Sequence, residues 1–149
     1  MRKSVRFFAC ASATVLILAP FAAGAQGREV IIPTGGRGSA MLSPAVKVGN
    51  LVFASGQLPA RGDSTIETQT TSTLENIKKL FEAAGTSMNN AVKCTVFLVD
   101  IKDFQGMNSS YSKFWSPENP PPARSTVVVA ALVVPTAKLE VECIAAMPK

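Results

Sequence analysis

From Ala45 onward, apolar and polar residues alternate with a period of two in several short runs, the pattern of half-buried strands. Val46 and Val48, then Leu51 and Phe53, flank the turn pair Gly49-Asn50, so Ala45 to Ser55 reads as a hairpin. Ala91 to Asp100 sets Val92, Cys94, Val96 and Leu98 on one side, and Arg124 to Val134 and Lys138 to Ala145 complete the predicted strands. Two segments change to helical spacing. Between Thr68 and Gly85, Leu74, Ile77, Leu80, Phe81 and Ala84 share one stripe, with Gly85 as the stop. Phe104 to Trp115 is the second helix, with Asp103 as N-cap and Pro117 as breaker. The order β-β-α-β-α-β-β, without repeat or long linker, predicts an α+β domain: one mixed β-sheet with two helices on one face.

The last strand separates the two faces. Leu139, Val141 and Cys143 alternate with Glu140, Glu142 and Ile144. One side suits a helix-packed core. The other presents two carboxylates in a row, which is either a solvated face or a place for acid–base chemistry. Upstream, residues 26–42 form a flexible lead-in: a short β-like piece at Val30-Ile31-Ile32 is followed by Pro33, Gly35, Gly36 and Gly38.

The first 25 residues read differently. Arg2, Lys3 and Arg6 precede an apolar run from Phe7 to Ala23 that ends in Ala23-Gly24-Ala25. Basic, apolar and small-residue regions in that order predict a secretory signal peptide, residues 1–25, and a secreted or periplasmic product. An uncleaved membrane anchor is the competing reading, but Pro20 interrupts a run already short for a bilayer. Cleavage after Ala25 removes three positive charges and no negative ones, lowering the net charge from +5 to +2. Little basic character then remains to attract nucleic acid. Export also exposes Cys94 and Cys143 to an oxidising compartment, where they either pair or stay as buried free thiols.

Composition narrows the chemistry further. The 149 residues are 47% hydrophobic and 17% charged, as in a folded domain. There is no histidine. Ser-His-Asp triads, Cys-His pairs and HExxH zinc sites are therefore excluded, and any catalyst here works with carboxylates, Arg, hydroxyls, backbone amides and water. Three polar features stand out. Arg124 follows the stiff Pro120-Pro121-Pro122-Ala123 approach; it is either a rim arginine covering apolar surface or a guanidinium fixed to grip a carboxylate through two parallel hydrogen bonds. Ser55-Gly56 ends the hairpin, as a plain turn or as an amide- and hydroxyl-lined pocket. Glu140 is a candidate general acid or base toward water.

Several of these segments together resemble the reactive intermediate deaminase family (RidA, also YjgF, formerly L-PSP endoribonuclease). The resembling stretches are Ser43 to Gln57, Leu74-Glu75-Asn76-Ile77, Glu82-Ala83-Ala84-Gly85 and Val92 to Asp100. Pro122-Ala123-Arg124-Ser125 and Lys138 to Ala145 complete the set, so residues 43–149 are read as the family domain. The resemblance implies a chorismate-mutase-like fold, a homotrimer with clefts between subunits, and hydrolysis of enamines and imines to 2-oxo acids and ammonia. It implies that Arg124 binds the substrate carboxylate, that Glu140 places the attacking water, and that Ser55, Gly56 and Asn108 join Arg124 around the substrate. It implies no metal and no organic cofactor, and a small imine or 2-oxo acid as ligand; the low charge left after cleavage argues against nucleic acid as partner, and signal cleavage leaves no membrane partner.

Two cleft positions depart from the family pattern. Leu42 stands where a tyrosine is common, and Thr126 where a cysteine is common. The alternative to an enzyme is a non-catalytic trimer that binds small carboxylates or acts as a holdase.

Overall fold

The protein is described by a computed structural model over residues 27–149, so the predicted signal peptide lies outside the described residues. The elements in chain order are β1 (Arg28–Ile31), β2 (Ala45–Val48), β3 (Leu51–Gln57), α1 (Ile66–Ala83), β4 (Ala91–Leu98), α2 (Phe104–Tyr111), β5 (Ala123–Val128) and β6 (Leu139–Ala146). Six strands form one sheet in the order β1-β2-β3-β6-β4-β5, antiparallel throughout except for β4 and β5, which run parallel. A parallel pair needs a crossover, and α2 lies within it. The mixed sheet with two helices is as expected. The β-like piece in the lead-in is a true strand, paired along β2.

Alternation along β4 and β6 decides the layers. Cys94, Val96 and Leu98 of β4 and Leu139, Val141 and Cys143 of β6 are buried, and they form one core with Leu74, Ile77, Leu80 and Phe81 of α1 and Met107 and Tyr111 of α2. Both helices therefore cover the same face. Gly106 lets them meet, because a methyl group there would lie 2.6 Å from Ile66 Cγ2 on α1. The opposite face carries Phe53, Lys93, Thr95, Phe97, Glu140, Glu142 and Ile144, and no helix of the described residues covers it.

Several boundaries differ from the sequence expectation, each for a physical reason. Helix α1 begins earlier, at Ile66, because the Thr65 hydroxyl caps it by accepting from the Thr68 amide. It ends as predicted in a Schellman turn, with Gly85 at φ 83° and Thr86 N–H donating to Phe81 O. Asp103 occupies the N-cap position of α2 as expected, but its side chain makes no capping hydrogen bond. It closes a 3-10 turn, Ile101–Asp103, that Asp100 caps, and its carboxylate takes Lys138 Nζ at 3.1 Å. Helix α2 is shorter than drawn, passing into a 3-10 turn at Ser112–Phe114. Strand β5 stops at Val128 rather than Val134: it sits at the sheet edge, and its only neighbour, β4, ends at Leu98. Val92 is exposed rather than core-facing, because the register shifts between Ala91 and Lys93.

Cys94 and Cys143 face each other across β4 and β6 and form a disulfide, with Cα atoms 4.1 Å apart. Of the two readings left open by the sequence, the structure has the paired one.

Candidate functional site

Arg124 is the second residue of β5 and stands in register with Cys94, whose side chain enters the helix-covered layer. The guanidinium consequently points toward α2. It lies over the Tyr111 ring, 4.6 Å from the centroid, and Nη1 makes a long contact to Met107 Sδ at 3.9 Å. Tyr111 in turn stacks on Trp115 with centroids 4.3 Å apart. Among the described residues no carboxylate pairs with Arg124.

The stack borders a cavity of about 760 Å³, walled by Asn108, Tyr111 and Trp115 on one side and by Pro120, Pro121, Pro122 and Arg124 on the other. Asn108 and Tyr111 lie one and two turns along one face of α2 from Phe104, which is how the helix delivers both. Their polar atoms are unusual. Asn108 Oδ1, Tyr111 Oη, Trp115 Nε1 and, beneath Arg124 on the same strand face, Thr126 Oγ1 are all buried without a hydrogen-bond partner. Buried polar groups are nearly always partnered, so three such atoms on cavity-lining residues beside Arg124, with a fourth two residues along its strand, suit a polar ligand here. Burial pushes the Tyr111 hydroxyl up to about 12 despite the lowering influence of Arg124, so it stays protonated.

Glu140 lies elsewhere. It alternates with buried Leu139 and Val141, so its side chain emerges on the uncovered sheet face. There it covers Gly56: a methyl at that glycine would collide with Glu140 Oε1 and sit 2.8 Å from Cδ. Partial burial, and secondarily the charge of Glu142, raise the Glu140 carboxyl above the usual range. Ser55 is on this face too, but its hydroxyl is engaged, donating to Ser43 O at 2.7 Å. It borders a second cavity of about 350 Å³ with Lys93, Thr95 and Glu142.

The predicted site residues thus fall into two groups. Arg124 and Asn108 meet on the helix side; Glu140, Gly56 and Ser55 meet on the open side. A single chain does not bring the guanidinium and the carboxylate across one pocket. The two departures also separate, with Thr126 under Arg124 and Leu42 exposed in the lead-in.

Sequence reasoning overlooked Tyr111 and Trp115, although both fall on helical spacing just ahead of the Pro run. It also overlooked Gln69. This side chain is buried among apolar neighbours on α1; its amide donates to Asp63 O and Thr136 O at 2.9 and 3.0 Å and accepts from Lys138 N–H at 2.7 Å. With the Lys138–Asp103 ion pair, it anchors the chain just before Glu140.

An α+β domain with a cation-bearing pocket beside one helix is the architecture of a small-molecule-binding protein. The comparisons give the family. A family model described as endoribonuclease L-PSP matches residues 37–147. A RutC family protein of Saccharolobus solfataricus is 46% identical over 96 residues, covering 60% of this chain and 75% of its own length. The chloroplastic Reactive Intermediate Deaminase A of Arabidopsis thaliana is 41% identical over 111 residues, covering 70% of this chain and 58% of its own length. The crystal structure of E. coli TdcF with bound serine superposes with a TM-score of 0.70 at 35% identity, over 80% of this chain and 99% of that one. The chain belongs to this family, the RidA/YjgF proteins.

Proposed function

We propose that the protein is a hydrolytic deaminase of reactive enamines and imines related to 2-aminoacrylate, yielding 2-oxo acids and ammonia. The observation that carries this is Arg124, held by an aromatic stack beside a cavity edged with unpartnered polar atoms and paired with no carboxylate of its own. A substrate carboxylate supplies what is missing, as two charge-assisted hydrogen bonds. Likeness to a Reactive Intermediate Deaminase A supports the same reading.

In the proposed reaction an enamine first takes a proton from solvent at carbon to become the iminium ion, which an imine substrate reaches by taking the proton on nitrogen. Water then attacks C2 while Glu140 accepts its proton. Glu140 returns that proton to nitrogen, the C–N bond breaks, ammonia leaves, and the remaining hydroxyl loses its proton as the 2-oxo acid forms. Burial, and secondarily the charge of Glu142, raise the Glu140 carboxyl, which makes it a stronger base toward water than an ordinary carboxylate. The demand on the protein is modest: fix one anion, place one water, move one proton.

Because Arg124 and Glu140 occupy opposite faces of one sheet, the reaction requires that different subunits supply them. We therefore place the site between chains of a homotrimer, the assembly that the family resemblance implies. The uncovered sheet face, with Phe53 and Val127 more than 40% exposed, suits such an assembly. Export fits as well, since the Cys94–Cys143 disulfide belongs to an oxidising compartment.

A binding-only function is the second reading. It is favoured by the fact that the Arg124 cavity forms within one chain without Glu140. Imines generated in situ by an amino acid oxidase separate the two: the protein should accelerate their loss, and Arg124→Ala should abolish the gain. Rates equal to buffer, with a 2-oxo acid still bound, would leave the binding protein.

A further inference from the structure

The cavity beside Arg124 is divided in its chemistry. Its volume of about 760 Å³ lies within the ~300–1,000 Å³ range of pockets that enclose much larger ligands than a three-carbon acid. Arg124, Asn108 and Tyr111 supply the polar end. Trp115, Pro120 and Pro121 supply an apolar wall beyond it. That wall is stiff: the indole is held between Tyr111, stacked at 4.3 Å, and Phe114, tilted at 6.1 Å, and proline has no side-chain freedom to lose. An apolar group placed there gains burial at little ordering cost.

We propose that this cavity selects 2-oxo and 2-imino acids carrying a large apolar side chain, branched or aromatic, over their three-carbon counterparts, with Trp115 as the residue that sets the preference. The proposal rests on the reading of Arg124 as carboxylate anchor. With the carboxylate on Arg124, the ligand side chain extends along the Tyr111–Trp115 stack toward the prolines. A three-carbon acid has nothing to place there and leaves the wall in water.

Trp115 is the only tryptophan of the chain, so its emission reports on this wall directly. The test titrates the purified full chain with pyruvate, 4-methyl-2-oxopentanoate and phenylpyruvate by calorimetry, and follows Trp115 fluorescence with the first two. Both larger acids should bind about tenfold tighter than pyruvate or better, in line with the effect of added carbons in an apolar pocket. 4-Methyl-2-oxopentanoate should shift the emission and pyruvate should not. Trp115→Ala should reduce the preference, read as the ratio of the affinities for the larger acids and pyruvate, to within about twofold. Equal affinities for all three acids would overturn the proposal and leave the carboxylate anchor standing. If none binds, the anchor itself is wrong. Should Trp115→Ala fail to fold, the wild-type affinity series and emission shift decide the matter alone.

Discussion

The guanidinium of Arg124 rests on the ring of Tyr111, and the stack continues to Trp115. A guanidinium seated over a phenol ring at the border of the cavity is pre-organised to offer its fork of N–H groups to an anion there. Arg124→Lys keeps the charge but loses the fork and the stack. Affinity for a 2-oxo acid, measured by calorimetry, should fall by about 10–100-fold, the worth of one charge-assisted hydrogen bond. An unchanged affinity would mean that the guanidinium is a surface covering and nothing more.

Gly56 is needed for the position of Glu140. Gly56→Ala places a methyl group on the carboxylate, and the carboxylate must swing away. The variant should keep its fold by circular dichroism and bind 2-oxo acids as before, because in the proposed assembly the carboxylate anchor, Arg124, comes from the neighbouring chain. Its imine turnover should drop at least about tenfold, the usual scale for a displaced acid–base group. Normal turnover would remove Glu140 from the reaction.

The raised carboxyl of Glu140 has a definite consequence for stability. A carboxyl whose pKa is higher in the folded than in the unfolded chain favours the fold while protonated, and that contribution is lost as pH rises through the folded value. Glu140→Gln cannot ionise. Melting curves from pH 4 to 8 should show the variant gaining on the wild type as pH increases. A difference constant across that range would contradict the assignment.

How much of this was legible beforehand depended on whether the signal was local. The helix-covered layer was visible in the alternation at Leu139, Val141 and Cys143, because strand period and burial are coupled residue by residue. Arg124 was visible through its rigid proline approach. The early stop of β5 was not, since it depends on where the neighbouring β4 ends. Nor was the separation of Arg124 from Glu140: facing is set by register between strands distant in sequence, and spacing alone is silent on it. Gln69 was hidden for a similar reason, since a polar residue on a buried stripe makes sense only once the loops at Asp63 and Thr136 are folded against it.

Gln69→Ala should therefore cost stability out of proportion to its size. It removes three hydrogen bonds and leaves two carbonyls and one amide without their partner in a partly buried place. The expected loss is about 3 kcal/mol by chemical denaturation. A loss under about 1 kcal/mol would show that water replaces the side chain.

The disulfide joins cysteines 49 residues apart, and closing a loop of that length restricts the unfolded chain. The double variant Cys94→Ala, Cys143→Ala should lose about 2–4 kcal/mol of unfolding free energy. Thiol titration of the denatured wild type under oxidising conditions should find no free thiol at either position. Two reactive thiols would argue against the pairing.

With Arg124 on one side of the sheet and Glu140 on the other, the proposed trimer makes every active centre a joint product of two chains in a closed ring. Arg124→Ala and Glu140→Gln proteins, each inert alone, should then rescue one another when dissociated and annealed together. Random mixing in equal amounts puts an intact arginine beside an intact glutamate at about one junction in four, so roughly a quarter of native activity should return.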